Sequence, residues 1–176
     1  MNDDRTRAPE GRSLFSVSQI QHVLRVEFGR AQRYRYPLSV VVVAIDQLGA
    51  LRDRRGFEAK ESVVESVVRL LSEVTRTSDY LGRTPDDRLL AVVPHTDEAG
   101  MRSLAERLLS GARTLSMPDA EGERLTLSIG ATTTSAGDPL FHDVLLVAAE
   151  AAQAESAAAG GDRMTIHPPV ASAGSQ

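Results

Sequence analysis

Side chains that commonly perform chemistry are sparse in this sequence. It contains no cysteine, which excludes thiol nucleophiles, disulfides and thiolate metal sites. The four histidines lack metal-ligand spacing such as i, i+4, and we interpret them as surface or loop residues: His22, His95, His142 and His167. The string R-x-x-D occurs twice, at residues 76–79 and 83–86. An arginine and an aspartate at this spacing usually form only a solvated salt bridge, so the string alone assigns no function.

Composition excludes several function classes. The chain has 176 residues, enough for one domain with its own core. Twenty Lys+Arg against 24 Asp+Glu give a formal charge of −4, which favours neither a nucleic acid polymer nor a membrane as partner. No apolar run approaches the roughly 18 residues of a membrane span, and the N-terminus lacks a signal-peptide core. We therefore expect a cytoplasmic protein.

Hydrophobic periodicity divides the chain into three parts. Residues 1–15 show no periodicity and are predicted to be a disordered arm, residues 16–167 form one domain, and residues 168–176 are a disordered tail. The domain begins with a helix at 17–35 whose outer faces are rich in arginine. Two interpretations of this helix stay open. It is either a basic docking arm or an amphipathic helix with a solvated face.

The rest of the domain alternates strands and helices. An apolar, β-branched run at 38–45 predicts a central strand covered on both faces. Helical spacing recurs at 57–75, from Pro94 to about 113, and at 141–158, while strands are predicted at 80–83, 89–93, 125–132 and 164–166. Residues 84–87 predict the turn of a hairpin. This order describes an α/β fold with a mixed central β-sheet flanked by helices.

The element order and three segments resemble the GGDEF domain of diguanylate cyclases, over about residues 17–167. The segments are Pro37-Leu38-Ser39, Ile45-Asp46 and residues 125–130. The resemblance implies the GGDEF, nucleotidyl-cyclase-like fold. It also implies a family in which two GTP molecules, one on each subunit of a dimer, are joined into cyclic di-GMP with the help of magnesium.

The family signature is altered in this sequence. In the family its glycines let the backbone approach GTP, and an acidic residue binds magnesium. An alignment without gaps places residues 85–89, Pro-Asp-Asp-Arg-Leu, at the signature. Both glycines are replaced, Arg88 stands at the fourth, acidic position, and only Asp87 is kept.

Other functional positions of the family are also replaced. Ala44 replaces a magnesium ligand, and Glu155 replaces the lysine that binds phosphate. Arg52 replaces the asparagine that recognises guanine, whereas Glu61 aligns with the acidic residue that acts beside that asparagine. The segment before the first helix matches the family pattern DxLTGLxNR almost nowhere. Phosphoryl transfer needs a metal to bridge the phosphates. The replaced positions therefore predict a pseudoenzyme of this family, without catalytic or metal-binding residues. The remaining aspartates are better explained by turn formation and solvation: Asp46, Asp53, Asp86 and Asp87.

One family feature is retained. Many cyclases carry an inhibitory R-x-x-D site, five residues before the signature, that binds the product, and residues 76–79 stand at this offset. The secondary arginine of that site corresponds to Arg107. The resemblance thus implies that Arg76, Asp79 and Arg107 bind cyclic di-GMP, with Tyr80 and Arg83 as accessory candidates. An arginine fork matches guanine O6 and N7, and a carboxylate matches the guanine N–H donors.

Two functions follow as alternatives. The first is a catalytically inactive GGDEF-like domain that binds cyclic di-GMP as a regulatory ligand, without another cofactor, and signals through an unidentified protein partner. The second is a nucleotide-independent module for homodimerisation, heterodimerisation with an active cyclase, or scaffolding. Equilibrium binding of cyclic di-GMP separates them.

Overall fold

The computed structural model describes residues 12–115, 123–135, 137 and 141–169. Helices and strands alternate through most of this range. In chain order they are α1 (Val17–Tyr34), β1 (Leu38–Ile45), α2 (Leu48–Arg55), α3 (Phe57–Val74), β2 (Tyr80–Arg83), β3 (Leu89–Pro94), α4 (Glu98–Ala112), β4 (Leu127–Thr134), α5 (His142–Ala158) and β5 (Arg163–Ile166).

The strands form one mixed sheet in the order β2-β3-β1-β4-β5. The central strand β1 pairs antiparallel with both β3 and β4, and β2 pairs antiparallel with β3. Only β4 and β5 are parallel. The mixed sheet flanked by helices confirms the predicted fold class.

Helices cover both faces of the sheet. Val41 and Val43 of β1 belong to a core cluster shared with α3 and α4, whereas Val40 and Val42 belong to a second cluster shared with α1 and α5. Successive side chains of a strand point to opposite faces, so an uninterrupted run of valines supplies both clusters. The continuous apolar run therefore marks the central strand, as predicted.

The helices bury one face each. In α1 the buried apolar side chains are Ile20, Leu24 and Ala31, and a capping box between Ser16 and Gln19 closes its first turn. In the part of the chain that the structure describes, no helix combines the length and apolarity needed to cross a lipid bilayer.

The eight-residue helix α2 was not predicted. Half of its residues are charged, only Leu51 is buried, and its N-cap residue Gln47 makes no side-chain capping bond. One buried position produces no periodicity, so the pattern of apolar residues could not reveal this helix. The predicted strand at 125–132 is observed two residues later, as β4.

The predicted boundary at residue 15 needs correction. Phe15 forms a parallel bridge with Gly82, its N–H donates to the carbonyl of Leu81 at 2.8 Å, and its carbonyl accepts from the N–H of Arg83 at 3.1 Å. Residues 12–15 therefore belong to the domain, because they cover the outer edge of β2. The predicted arm before residue 12 and the tail from residue 170 lie outside the described residues.

Candidate functional site

The three main site residues predicted from the sequence lie around one cavity. Arg76 and Asp79 belong to the turn between α3 and β2, and Arg107 lies on α4. All three line a cavity of about 410 Å³, whose wall also includes Thr96 and Ser103. Residues separated by about thirty positions are thus brought together by the packing of α4 beside the end of α3. We call residues 76–79 the ligand turn.

Asp79 has an unused hydrogen-bond acceptor. Its Oδ2 accepts from the backbone N–H of Arg76 at 2.7 Å, and its own N–H donates to the carbonyl of Arg76 at 3.1 Å. The residue is only 5% exposed, and its Oδ1 is buried without a hydrogen-bond partner. Burial raises the pKa of Asp79 above its ordinary value, although the Arg76 N–H and the charges of Arg76 and Arg12 oppose this rise. A buried, unsatisfied oxygen is uncommon and calls for an explanation.

Two exposed arginines stand at the cavity. The side chains of Arg76 and Arg107 are on the surface, and the guanidinium of Arg107 donates to the carbonyl of Val74 at 3.1 Å. Val74 is the last residue of α3, where carbonyls lack partners inside the helix and attract cations. The cavity therefore combines two cationic forks with one buried acceptor.

Arg12 contacts the ligand turn and was missed by the sequence analysis. Its guanidinium donates to Oγ1 of Thr75 at 2.9 Å and to the backbone carbonyls of Arg76 and Asp79. Arg12 lies in the aperiodic stretch that we assigned to the disordered arm. Neither its residue type nor its neighbours carried a signal, because its partners are more than sixty positions away.

The two accessory candidates lie elsewhere. The Tyr80 hydroxyl donates to Glu27 at 3.2 Å, and its ring packs against that of Phe15 on the α1 side of the sheet. Burial and the carboxylate of Glu27 raise the pKa of Tyr80. Arg83 forms ion pairs at the hairpin turn. The structure therefore does not bring Tyr80 and Arg83 together with the ligand turn, and neither lines its cavity.

The hairpin turn carries a compact ionic network. Lys60 Nζ lies 2.7 Å from Oδ2 of Asp87 and 2.9 Å from Oε1 of Glu61, and Arg83 pairs with the same two carboxylates. Hydrogen bonds from Arg83 lower the pKa of Glu61 against the effect of burial. Burial would raise the pKa of Asp87, but hydrogen bonds from Lys60 and Arg83 outweigh it and lower the pKa. We call these four residues the hairpin network: Lys60, Glu61, Arg83 and Asp87.

Asp46 has protein partners as well. It accepts hydrogen bonds from the hydroxyls of Thr126 and Ser128 and, at 3.0 Å, from the N–H of Asp162. It thereby ties the end of β1 to β4 and to the loop before β5.

The other charged residues aligned with functional positions of the family are also paired. Arg52 pairs with Asp53, Asp86 with Arg88, and Glu155 with His167. Among the described residues, no group of three or more His, Cys, Asp or Glu side chains is arranged to hold a metal ion.

Comparison with known proteins establishes the family. The sequence matches the family described as diguanylate cyclase, GGDEF domain, over residues 13–163, and the chain belongs to this family. Diguanylate cyclase DosC of Escherichia coli strain K12 is 28% identical over 131 residues, which cover 73% of this chain and 28% of DosC. The chain thus spans less than a third of that relative's length.

Solved structures have the same fold. The GGDEF domain of DgcB from Caulobacter crescentus, in complex with c-di-GMP, superposes with a TM-score of 0.81 at 16% identity, covering 94% of this chain and 97% of that one. Diguanylate cyclase SiaD from Pseudomonas aeruginosa, in complex with its activator SiaC, gives a TM-score of 0.79 at 22% identity, covering 88% and 59%. At these identities the similarity establishes the fold alone.

Proposed function

We propose that this GGDEF domain is a catalytically inactive receptor that binds cyclic di-GMP at Arg76, Asp79 and Arg107. The observation that carries the proposal is the buried Oδ1 of Asp79, which has no hydrogen-bond partner and belongs to a residue that lines a cavity beside two exposed arginines. A buried carboxylate oxygen costs free energy unless it accepts a hydrogen bond, and a ligand with N–H donors would supply one.

The chemistry of cyclic di-GMP suits this arrangement. Guanine presents adjacent N–H donors that a carboxylate accepts, and adjacent O6 and N7 acceptors that an arginine fork matches. The two phosphates carry the negative charges that Arg76 and Arg107 attract. The c-di-GMP complex of the similarly folded DgcB domain supports a ligand of this class for the family.

The hairpin network supports catalytic inactivity. Asp87 and Glu61 stand at the acidic positions for metal and guanine in the family, and here both are bound by Lys60 and Arg83. A cation that binds there would have to displace two cationic side chains at once. Ala44 offers no carboxylate, and Pro85 replaces a glycine of the turn. In phosphoryl transfer a metal ion bridges the phosphates and neutralises the charge that develops on their oxygens, and these residues would not hold such an ion.

The output of a receptor without catalysis is a contact with another protein. The complex of SiaD with SiaC is one case in which a protein containing this fold binds a regulatory protein. We infer that an unidentified signalling partner recognises the cyclic di-GMP-bound state of this chain.

A second candidate function rests on an apolar surface of α5. Val144, Val147, Ala148 and Ala151 line a cavity of about 550 Å³ on this helix, and Val147 is 64% exposed. An exposed apolar patch is typical of protein interfaces. This surface fits a nucleotide-independent module for dimerisation or scaffolding.

Equilibrium dialysis of the purified chain against cyclic di-GMP tests the proposal, with GTP and magnesium in parallel. We expect saturable binding of cyclic di-GMP and no conversion of GTP into it. Conversion that Asp87→Ala abolishes would contradict the pseudoenzyme. Absence of binding at high micromolar ligand would favour the dimerisation module.

A further inference from the structure

The N-terminal segment, residues 12–15, is attached to the ligand turn by a single guanidinium. Arg12 donates to the carbonyls of Arg76 and Asp79 and to the hydroxyl of Thr75. We propose that Arg12 is a positioning residue that couples the N-terminal segment to the ligand turn, so that occupancy of the cavity changes the order of this segment. The ligand in this proposal rests on the proposed function, whereas the positioning role of Arg12 does not.

The turn follows directly on the C-terminal end of α3, whose last carbonyls have no partner in the helix. The guanidinium of Arg12 also reaches one of these carbonyls, that of Ser72, at 3.5 Å. Arginine presents five N–H donors in a rigid, planar fork, which allows one side chain to bind several oxygens in a fixed geometry. Arg12 binds oxygens on both sides of the turn, because Thr75 precedes it and Asp79 ends it. Its side chain therefore fixes the width of the loop that carries Arg76 and Asp79.

A second attachment lies on the other side of Asp79. The backbone of Phe15 hydrogen-bonds to Leu81 and Arg83 on β2, the strand that begins one residue after Asp79. Gly82 permits this approach, since a Cβ atom there would lie 2.9 Å from the carbonyl oxygen of Phe15. The N-terminal segment thus holds the ligand turn at one end through Arg12 and the start of β2 through Phe15.

The two attachments leave little freedom for either part to move alone. A ligand that binds Arg76 and Asp79 restrains the carbonyls to which Arg12 donates, and this strengthens the attachment of the segment. Coupling between two binding sites is reciprocal. If a partner protein binds by displacing the segment, it must lower the affinity for the ligand by the same factor by which the ligand lowers the affinity for the partner. The segment continues directly into α1, which begins at Val17. The coupling therefore extends from the cavity to the N-terminal end of the domain.

Hydrogen–deuterium exchange and calorimetry with matched variants test this coupling. Arg12→Ala removes the fork, and Arg12→Lys keeps the charge with three donors. Gly82→Ala is expected to displace the backbone of Phe15, and Gly82 does not line the cavity. Arg25→Ala, an exposed arginine of α1, is the control. In the wild-type protein, cyclic di-GMP is expected to slow amide exchange at residues 13–16.

In the unliganded protein, Arg12→Ala is expected to speed amide exchange at the ligand turn as well as in the N-terminal segment. The same variant should lower the affinity for cyclic di-GMP about tenfold. Arg12→Lys should recover part of both effects, Gly82→Ala should abolish the ligand-dependent slowing, and Arg25→Ala should resemble wild type. A purely structural loss of folding would lower the melting temperature but would not follow this order of rescue.

The outcomes separate the two proposals. A wild-type protein that binds cyclic di-GMP with no change of exchange at residues 13–16 would overturn the coupling and leave the receptor proposal intact. A wild-type protein that binds no cyclic di-GMP would refute the receptor proposal. In that case unchanged exchange of the unliganded ligand turn in Arg12→Ala would also overturn the positioning role of Arg12.

Discussion

The carboxyl group of Asp79 is buried, and its Oδ1 has no hydrogen-bond partner. Burial favours the neutral form of this group, whereas binding of N–H donors favours the ionised form. Burial raises its pKa and favours the neutral form. Acceptance of two guanine N–H donors requires the ionised form. Ionised Asp79 is therefore expected to destabilise the folded protein and to increase its affinity for cyclic di-GMP. Such a combination is typical of functional sites.

The first prediction concerns the pH dependence of this residue. Because burial raises the folded-state pKa of Asp79, acidification protonates this residue at a higher pH than an ordinary aspartate. Affinity for cyclic di-GMP should fall as pH falls through this raised pKa, and should be constant above it. Asp79→Asn should weaken binding about tenfold at neutral pH and remove this pH dependence.

Thermal denaturation supplies the matching stability test for Asp79→Asn. A carboxyl with a raised folded-state pKa costs stability once ionised, so the uncharged variant should melt no lower than wild type at neutral pH. Binding by Asp79→Asn equal to that of wild type would show that the buried carboxylate does not contact the ligand.

The second prediction concerns the hairpin network. Asp87→Ala leaves Lys60 and Arg83 with Glu61 as their shared partner in a half-buried site, and should lower the free energy of unfolding by about 2 kcal/mol. Urea denaturation measures this. The neighbouring Asp86→Ala is the control, since Asp86 is 61% exposed and its loss removes only the hydrogen bonds from Thr84 and Arg88, which should cost about 1 kcal/mol or less.

The hairpin network also predicts how the stability of the fold changes as the pH is lowered. The lowered pKa values of Glu61 and Asp87 mean that their stabilisation is present above the ordinary carboxyl pKa and is lost as pH falls through the lowered values. Equal stability losses for Asp87→Ala and Asp86→Ala would contradict this role of the network.

The backbone of helix α5 packs closely against strand β4. A Cβ atom at Gly130 of β4 would stand 2.0 Å from the backbone nitrogen of Gln153 and 2.2 Å from the carbonyl oxygen of Ala149. The small residues of α5 thus serve close packing on β4. The third prediction is that Gly130→Ala lowers the unfolding free energy by about 3 kcal/mol or more.

A glycine of another element is the control for this substitution. Gly49 of α2 has no atom within 4 Å of an added Cβ, so Gly49→Ala should be neutral or stabilise by up to about 1 kcal/mol. Chemical denaturation of both variants makes the comparison. A tolerated Gly130→Ala would mean that α5 can move away from the sheet.

The fourth prediction concerns the hairpin as an element. Pro85→Gly with Asp86→Gly restores the glycines of the family turn but leaves Lys60 and Arg83 bound to Asp87. Ala44 still lacks a carboxylate. We expect no synthesis of cyclic di-GMP from GTP by this double variant in a product assay. Measurable turnover would show that the glycine turn alone was limiting.

Elements differ in how far their sequence predicts them. Long amphipathic helices and the continuous valine run of β1 repeat their signal over many residues, and these were predicted within a few residues of their bounds. The short helix α2 buries only Leu51 and gave no such repeat. The positions of Arg76, Asp79 and Arg107 followed from the family resemblance. The contacts of Arg12 and Lys60 could not be predicted, because ion pairs between distant residues depend on the assembled fold.

At the scale of the whole molecule, the short strand β2 separates two charged sites. The ligand turn precedes it and the hairpin turn follows it. β2 has four residues, and at about 3.3 Å per residue it holds the two turns roughly 13 Å apart. At one end every acidic group is neutralised by a neighbour, and at the other a buried carboxylate oxygen is unpaired. The account therefore assigns ligand binding to the ligand turn and a structural role to the hairpin network.

Calorimetric titration of cyclic di-GMP into wild type, Arg76→Ala, Arg107→Ala and Arg102→Ala tests the central claim most directly. Arg102 is the matched control, because it lies on α4 like Arg107, is 57% exposed and pairs with Glu98 of the same helix. Wild type and Arg102→Ala should bind alike, while loss of Arg76 or Arg107 should weaken binding about 10- to 100-fold through lost charge-assisted hydrogen bonds. No binding by wild type, or an equal loss in Arg102→Ala, would contradict a cyclic di-GMP site at the ligand turn.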